Sequence, residues 1–338
     1  MSLRVTTIGD GAMATVCSML LVGKGCRVTQ WVRLAEDYAA IQAARENVRF
    51  LPGYKLPVEL RLTADDRAAF QDGAGGGCEL IVCAAPTQYI RGTLRRLAAH
   101  VPAGVPVVSV AKGIEVDTLL RPTQIVRELL GERPVAALSG PNIAAELARQ
   151  LPATSVMASE DDDFARRAQD LFTTRWLRVY RNHDLLGVEL AGALKNVVAV
   201  AAGIVDGMGM GNNCKAALLT RGLVEMMRLG AAMGAEPETF AGLAGLGDLV
   251  TTCVSPEGRN RTFGERVGRG QKPADVLREI AGVVEGVATT KSVLALAQRH
   301  GVEMPITEAL YAVLYEDKDP HKGIADLMAR ELKHEVES

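Results

Sequence analysis

Through the first half of the chain, short β-branched and aliphatic runs alternate with longer segments whose apolar positions recur at helical period. The runs at 4–8, 27–31, 80–84, 106–110, 135–138 and 154–158 read as strands, and 12–24 reads as a helix that Gly25 closes in the left-handed conformation. Strand and helix in alternation predict βαβ units and a doubly wound parallel sheet. Near residue 183 the texture changes, because LLGVELAGALKNVVAVAAGIV and CKAALLTRGLVEMMRLGAAM carry their apolar residues at period 3.6. Small residues at Ala191, Gly192, Ala199 and Gly203 would let such helices approach closely. The expected class is α/β, with a doubly wound domain over 1–182 followed by an all-α domain over 183–338.

A length of 338 residues fits two domains, and 48% hydrophobic with 23% charged residues predicts an ordinary globular core. The formal net charge of −2 argues against nucleic acid or an anionic lipid surface as a partner. Six cysteines show neither a CxxC pair nor zinc spacing, so they read as reduced core thiols of a cytoplasmic protein, with no metal site. The opening MSLRVTTIG runs straight into a strand pattern without the marks of a signal peptide. The most apolar stretch, 197–205, is bounded by Asn196 and Asp206, short of the ~20 residues that span a bilayer, so no membrane insertion is expected. Acids at 160–163 suit a helix start, and the glycines at 73–77 read as a loop tip.

Gly9 and Gly11 follow the first strand and precede a helix, the setting in which a G-x-G-x-x-G loop acquires meaning. Gly9 permits the tight turn, Gly11 lets a pyrophosphate approach the helix N-terminus, and Ala14 takes the third position. An unliganded turn is the plainer alternative. The acid that NAD-preferring folds carry at the end of the second strand is missing, and Arg33 stands there instead. Arg33 is either a surface arginine or a partner for a 2′-phosphate, which leans the expectation towards NADP(H) with NAD(H) possible. The second glycine stretch, 206–213, follows a helix and reads as a helix-to-helix turn capped by Asn212 or Asn213.

Hydride transfer needs a proton donor or acceptor at the substrate oxygen. The five histidines offer little: four fall at helix ends or in polar terminal stretches, and His183 opens the long helix. Lys195 has only Ala191, Gly192, Val198 and Ala199 as neighbours on its helical face, which points to a desolvated amine of lowered pKa, or to a stem lying over apolar surface with its head in water. Lys112 lies just past the carboxyl end of a strand, where open α/β sheets bind ligands, and is otherwise a surface lysine. SGPN at 139–142 also follows a strand, with Pro141 suited to the first turn of the next helix. Asp248 sits among glycines, able to cap a helix or to orient an ammonium, and Arg259, Asn260 and Arg261 cluster at a loop-to-helix boundary. An arginine fork beside helix amides matches an oxyanion; a solvated basic turn is the alternative.

Together these segments resemble the bacterial-type glycerol-3-phosphate dehydrogenase (NAD(P)+) family over nearly the whole chain. The resemblance rests on the first glycine loop, NVRFLPGYKLP, SVAKG, SGPN, ELAGALKNV, TRGLVEM, GLAGLGDLVTTC, GRNRTFG, VVEG and GVEMPITE, in that order. It implies a Rossmann-like N-terminal fold, and NAD(P)H-dependent reduction of dihydroxyacetone phosphate to sn-glycerol 3-phosphate, the precursor of glycerophospholipids. It implies Lys195 as the catalytic proton donor or acceptor, with Lys112 and Asp248 beside it. Substrate would meet Lys112, Gly140, Asn142, Lys195, Asn196, Asp248, Gly258, Arg259 and Asn260. The cofactor, NADP(H) or NAD(H), would meet Gly9, Gly11, Ala12, Met13, Arg33, Lys112, Ala144, Arg259, Val283 and Glu285. A cytoplasmic homodimer acting on a small phosphorylated three-carbon substrate is expected. Asp10, Met13 and Ala14 depart from the family's usual G-A-G-x-[WF]-G loop, and Asn142 and Gly258 stand where hydroxyl residues are usual. A related keto-acid reductase and a non-catalytic NADP-binding sensor are the alternative readings.

Overall fold

A computed structural model describes residues 2–71, 76–332 and 334–335. Eight strands among the described residues form one sheet: β1 (Arg4–Ile8), β2 (Arg27–Trp31), β3 (Arg61–Thr63), β4 (Leu80–Cys83), β5 (Val107–Ser109), β6 (Val135–Ser139), β7 (Ala153–Ala158) and β8 (Leu177–Asn182). Their order is β3-β2-β1-β4-β5-β6-β7-β8. The helices of this half are α1 (Ala12–Gly23), α2 (Ala35–Ala44), α3 (Thr87–Leu97), α4 (Pro122–Leu130), α5 (Ala144–Ala148) and α6 (Asp162–Phe172). After β8 come helices: α7 (Leu185–Gly207), α8 (Gly211–Ala232), α9 (Pro237–Ala241), α10 (Asp248–Val254), α11 (Arg259–Gly268), α12 (Pro273–Glu279), α13 (Glu285–His300), α14 (Pro305–Tyr315) and α15 (Pro320–Met328).

All six expected strands are present, but the sheet is mixed rather than wholly parallel, since β7 runs antiparallel to β6. The cause lies in the connection. A parallel return must carry the chain back along the strand, about 17 Å for five residues, whereas the five-residue helix α5 advances only about 7.5 Å. Gly140, at φ +125°, turns the chain instead, and a side chain there would press on the Ser155 backbone of β7 at 3.1 Å. β3 and β8, both outermost, were not among the expected strands. Asp161 caps α6 by accepting from the Phe164 amide at 2.9 Å, and Gly25 closes α1 at φ +82° as expected. Two caps differ. α8 starts at Gly211 after Met210, without a side-chain cap from either asparagine, and Pro141 lies ahead of α5 rather than in its first turn. Of the glycines expected at a loop tip, 73–75 fall outside the described residues.

At 23 residues, α7 is far longer than its most apolar core and long and apolar enough to cross a membrane, yet its most apolar stretch is entirely packed inside protein. That enclosure explains its composition, because a helix apolar on every side needs partners on every side. On one side it meets α11 through backbone rather than side chains. A Cβ on Gly203 or Gly207 would fall 2.1 Å from a carbonyl of α11, and one on Gly264 or Gly268 would fall 2.0 and 2.3 Å from a carbonyl of α7. Four glycines thus lock the two helices at a separation that no larger residue permits. The buried core runs from one face of the sheet into this bundle, while a second cluster fills the other face beneath α1 and α6.

Candidate active site

The four central strands β1, β4, β5 and β6 are parallel, so the loops at their carboxyl ends gather on one edge of the sheet. These loops and the facing helices α7, α10 and α11 enclose a cleft of about 990 Å³. A larger concavity of about 1270 Å³ lies at the opposite, amino-terminal edge beside Arg4, Arg27 and Arg61. The chemistry singled out from sequence converges on the first of the two.

At the cleft floor one carboxylate serves two lysines. Asp248 Oδ1 accepts from Lys195 Nζ at 3.0 Å, and Oδ2 accepts from Lys112 Nζ at 2.7 Å. Lys112 Nζ also donates to the Gly140 carbonyl at 2.8 Å, and Lys195 Nζ to Thr252 Oγ1 at 2.6 Å. Burial alone would raise the pKa of Asp248, but the two ammonium groups prevail and hold it below the ordinary carboxylate value. Lys195 is 7% exposed, and burial drives its pKa down, with Lys112 adding to the effect and Asp248 resisting it. The desolvated amine expected from sequence is present, with its head on Asp248 rather than in bulk water. The apolar neighbours at three and four residues could not disclose that partner, which lies 53 positions away.

A chain of amides holds this floor together. Asn196 Nδ2 donates to the Lys112 carbonyl at 2.9 Å, Asn260 Nδ2 donates to Asn196 Oδ1 at 2.8 Å, and the Gly286 amide donates to Asn260 Oδ1 at 2.9 Å. Both asparagines thereby join the loop after β5 to α7, α11 and α13. Arg261 is drawn off to Asp206 at 2.7 Å, so the trio separates and Arg259 and Asn260 face the cleft without it. Arg259 stays accessible, although enough protein surrounds its guanidinium for desolvation to lower its pKa against the pull of Glu285. The accessibility decides its use, since an open guanidinium can take a ligand. Gly258 leaves the first turn of α11 without a side-chain cap, so its amides remain available.

The first glycine loop suits a dinucleotide. Gly9 has φ +126°, where a side chain would be strained and would meet the Ala84 carbonyl at 3.1 Å. In front of Gly11 there is open space, and no side chain caps the start of α1. Bare amides at a helix N-terminus beside an empty face form a cradle for pyrophosphate. Ala12, Met13, Arg33, Ala144 and Val283 line the same cleft. Asn142 accepts from Ser155 Oγ at 2.7 Å, and its Nδ2 is buried without a partner.

Three further residues emerged only from the fold. Thr252 touches Lys195; Asn47, 1% exposed, donates to the Asp10 carbonyl at 2.7 Å and to Thr15 Oγ1 at 2.8 Å, pinning the glycine loop; Thr87 donates its amide to Glu285 Oε1 at 2.8 Å. Asn47 opens the NVRFLPGYKLP segment and Thr252 lies in GLAGLGDLVTTC, which were the available signals, whereas Thr87 carried none.

Glu285 Oε2 and Thr87 Oγ1 are both buried and unpartnered. Burial pushes the Glu285 carboxyl up to about 7, against the Thr87 amide and Arg259. A raised folded value means that the stabilisation associated with this group is full below its ordinary 4.5 and is lost as pH rises through about 7. Glu285→Gln is expected to reduce the fall in melting temperature between pH 5 and 8. Parallel thermal melts check this, and an undiminished slope would remove Glu285 as its source. Some slope will remain, because buried Glu225, which accepts from the Ile306 amide at 2.6 Å, is likewise pushed up to about 7 by burial.

Comparison with known proteins gave concordant findings. A family model described as NAD-dependent glycerol-3-phosphate dehydrogenase N-terminus matches residues 4–165, and one described as NAD-dependent glycerol-3-phosphate dehydrogenase C-terminus matches 184–325. The glycerol-3-phosphate dehydrogenase (NAD(P)+) of Geobacter sulfurreducens is 48% identical over 338 residues, and that of Geobacter sp. (strain M21) 46%, each covering 99% of both chains. The crystal structure of glycerol-3-phosphate dehydrogenase from Coxiella burnetii superposes with a TM-score of 0.92 at 35% identity, over 97% of this chain and 99% of that one.

Proposed function

Since this chain belongs to the NAD-dependent glycerol-3-phosphate dehydrogenase family, we propose that Lys195 is the proton donor and acceptor of an NAD(P)H-dependent glycerol-3-phosphate dehydrogenase. The activity is the reversible reduction of dihydroxyacetone phosphate to glycerol 3-phosphate. The observation that carries the assignment of Lys195 is its sharing of the Asp248 carboxylate with Lys112 at the cleft floor. Burial lowers the proton affinity of Lys195 while Asp248 keeps the ammonium form accessible, so the amine gives up its proton more readily than an exposed lysine does.

When bound, the nicotinamide cofactor supplies or accepts hydride at the substrate's C2 carbon. Lys195 gives its proton to the C2 oxygen during reduction and takes it back during oxidation. Lys112 adds positive charge where the oxygen becomes negative, and Asp248 holds both amines in place. Asn196 and Asn260 act mainly as braces, since their amides bind one another, the Lys112 carbonyl and the Gly286 amide. Gly9, Gly11 and the uncapped start of α1 would hold pyrophosphate, with Ala12, Met13, Ala144, Val283 and Glu285 along the cofactor's path. Arg33 would meet the 2′-phosphate when the cofactor is NADP(H).

Arg259 and the open amides of α11 would bind the substrate phosphate. Arg259→Ala should then raise KM for dihydroxyacetone phosphate, lowering kcat/KM by about 10- to 150-fold, the effect of a hydrogen bond to a charged group. Initial rates against substrate concentration measure it, and an unchanged KM would remove Arg259 from the phosphate site. The reading of the whole cleft is tested by initial-rate assay of dihydroxyacetone phosphate with NADPH and NADH in parallel. Oxidation of neither would refute it.

The division into a cofactor-binding domain over 1–182 and a substrate domain over 183–338 is supported by the end of β8 at Asn182 and the purely helical elements beyond it. A cytoplasmic homodimer supplying glycerophospholipid synthesis completes the proposal. Sedimentation of the purified protein tests the dimer.

A further inference from the structure

One feature of the glycine loop lies outside the reaction machinery. Its second residue is an aspartate, which stands just past the end of β1 beside the end of β2. The pairing of β1 with β2 ends with Ile8 opposite Trp31, and just beyond it the backbone amide of Arg33 comes close enough to the Asp10 carboxylate to favour its charged form. Three bonds hold the loop there: the Gly9 amide donates to the Trp31 carbonyl at 3.1 Å, Gln30 Nε2 donates to the Gly9 carbonyl at 3.0 Å, and Asn47 donates to the Asp10 carbonyl at 2.7 Å. Asp10 is half-buried and lines the cleft together with Arg33, Asp37 and Arg49.

These four charges do not cancel evenly. Asp37 and Arg49 pair with each other at 3.4 Å. Arg33 rests its guanidinium over the Tyr89 ring, 5.5 Å from the centroid, and pairs with no carboxylate among the described residues. Asp10 therefore keeps a carboxylate, unclaimed by an arginine, at the tip of β2. That is the place where a dinucleotide fold that prefers NAD carries its ribose-binding acid, and β2 itself supplies none. A carboxylate there accepts hydrogen bonds from vicinal ribose hydroxyls and repels a phosphate on the 2′ oxygen.

From this placement we infer that Asp10 is a specificity-determining residue, taking over from the glycine loop the role that β2 leaves vacant. It binds the adenosine ribose of NAD(H) and opposes the 2′-phosphate of NADP(H). Arg33 pulls the other way, so the balance between the two cofactors is set by a pair of opposite charges on adjacent strand ends. Burial and the neighbouring Asp37 raise the Asp10 pKa, while the amides of Asp10 and Arg33 and the Arg49 charge resist; each of these groups belongs to the same rim.

The inference rests on the cleft's being the dinucleotide site. Its test is equilibrium binding of NADH and of NADPH by calorimetry, without substrate, to the unsubstituted protein, to Asp10→Asn and to Arg33→Ala. Asp10→Asn keeps the side-chain shape and removes the charge. It should shift the ratio of the two dissociation constants towards NADPH by about tenfold, the scale of one charge-assisted hydrogen bond, and Arg33→Ala should shift it towards NADH. A ratio unmoved by Asp10→Asn, or moved towards NADH, overturns the inference while leaving the dinucleotide site intact. Failure of the unsubstituted protein to bind either nucleotide defeats the reading of the cleft itself.

Discussion

Replacing Lys195 with alanine is expected to lower turnover by about 10² to 10⁴, the range by which a positioned general acid accelerates a reaction. The loss should fall on kcat, because the amine acts on the C2 oxygen as charge develops there, and it should leave nucleotide affinity unchanged. Folding should survive: without Lys195 the buried Asp248 carboxylate still has Lys112 at 2.7 Å and Thr252 Oγ1 at 3.1 Å. Lys195→Arg separates charge from proton transfer, since a guanidinium keeps the positive charge and does not release its proton near neutral pH. If Lys195 serves as the acid, arginine should be nearly as poor as alanine. Single-turnover reduction with pre-bound cofactor measures the chemical step directly, and a folded, cofactor-bound alanine variant with near-normal turnover would end the assignment.

How much of this was legible beforehand depends on what each feature needed. The central strands were readable because buried parallel strands are continuous apolar runs, as in LIVC of β4, buried at every position. β8 escaped because it is an edge strand in which only Leu177 and Val179 are buried while Arg178, Tyr180 and Arg181 are exposed, and β3 because it has only three residues. The reversal of β7 was not readable from strand composition at all, since it follows from the shortness of α5. In the candidate site, Lys195, Lys112 and Asp248 could be singled out one at a time, the last as a helix cap or a partner for an ammonium, but not the sharing of one carboxylate by both amines. Asp248 is brought to both amines by tertiary packing, and the family resemblance alone had put the three together.

The glycine seam shows the same limit from another side. Gly203 was readable as a place of close approach, whereas its counterparts Gly264 and Gly268 drew no notice in a charged helix. Their contact does more than pack the bundle. Because α11 lies backbone to backbone on α7, Asn260 reaches Asn196 at 2.8 Å, and Arg259 is carried into the cleft that Lys195 lines. Spacing of phosphate site and proton donor is thus set by the absence of side chains on two helices.

Asp248→Asn should have the broadest consequences of any single substitution in this cleft. The carboxylate is 2% exposed and is the counter-ion of both lysines, so its neutral isostere leaves two ammonium groups facing each other in a poorly solvated space. Removing one partner from a buried pair costs about 3–5 kcal/mol, because the remaining charge stays uncompensated. The protein can relieve part of that by shedding a proton. Asp248 is the main influence holding the Lys195 pKa up, against burial and Lys112, so without it the amine should be neutral at a lower pH. Ketone reduction requires the ammonium form, and the descending limb of its pH–rate profile should therefore move to lower pH. The two effects have separate readouts, a melting temperature and a pH profile, and a purely structural role would move only the first. The contribution of Asp248 to stability also has a definite direction in pH. Its folded value lies below the ordinary carboxylate value of 3.8, so the stabilisation is present above that value and disappears as pH falls through the folded value. Asp248→Asn should accordingly melt at a lower temperature at neutral pH, with the difference shrinking in strong acid, and a pH–rate profile unchanged from the parent protein would separate Asp248 from the proton transfer.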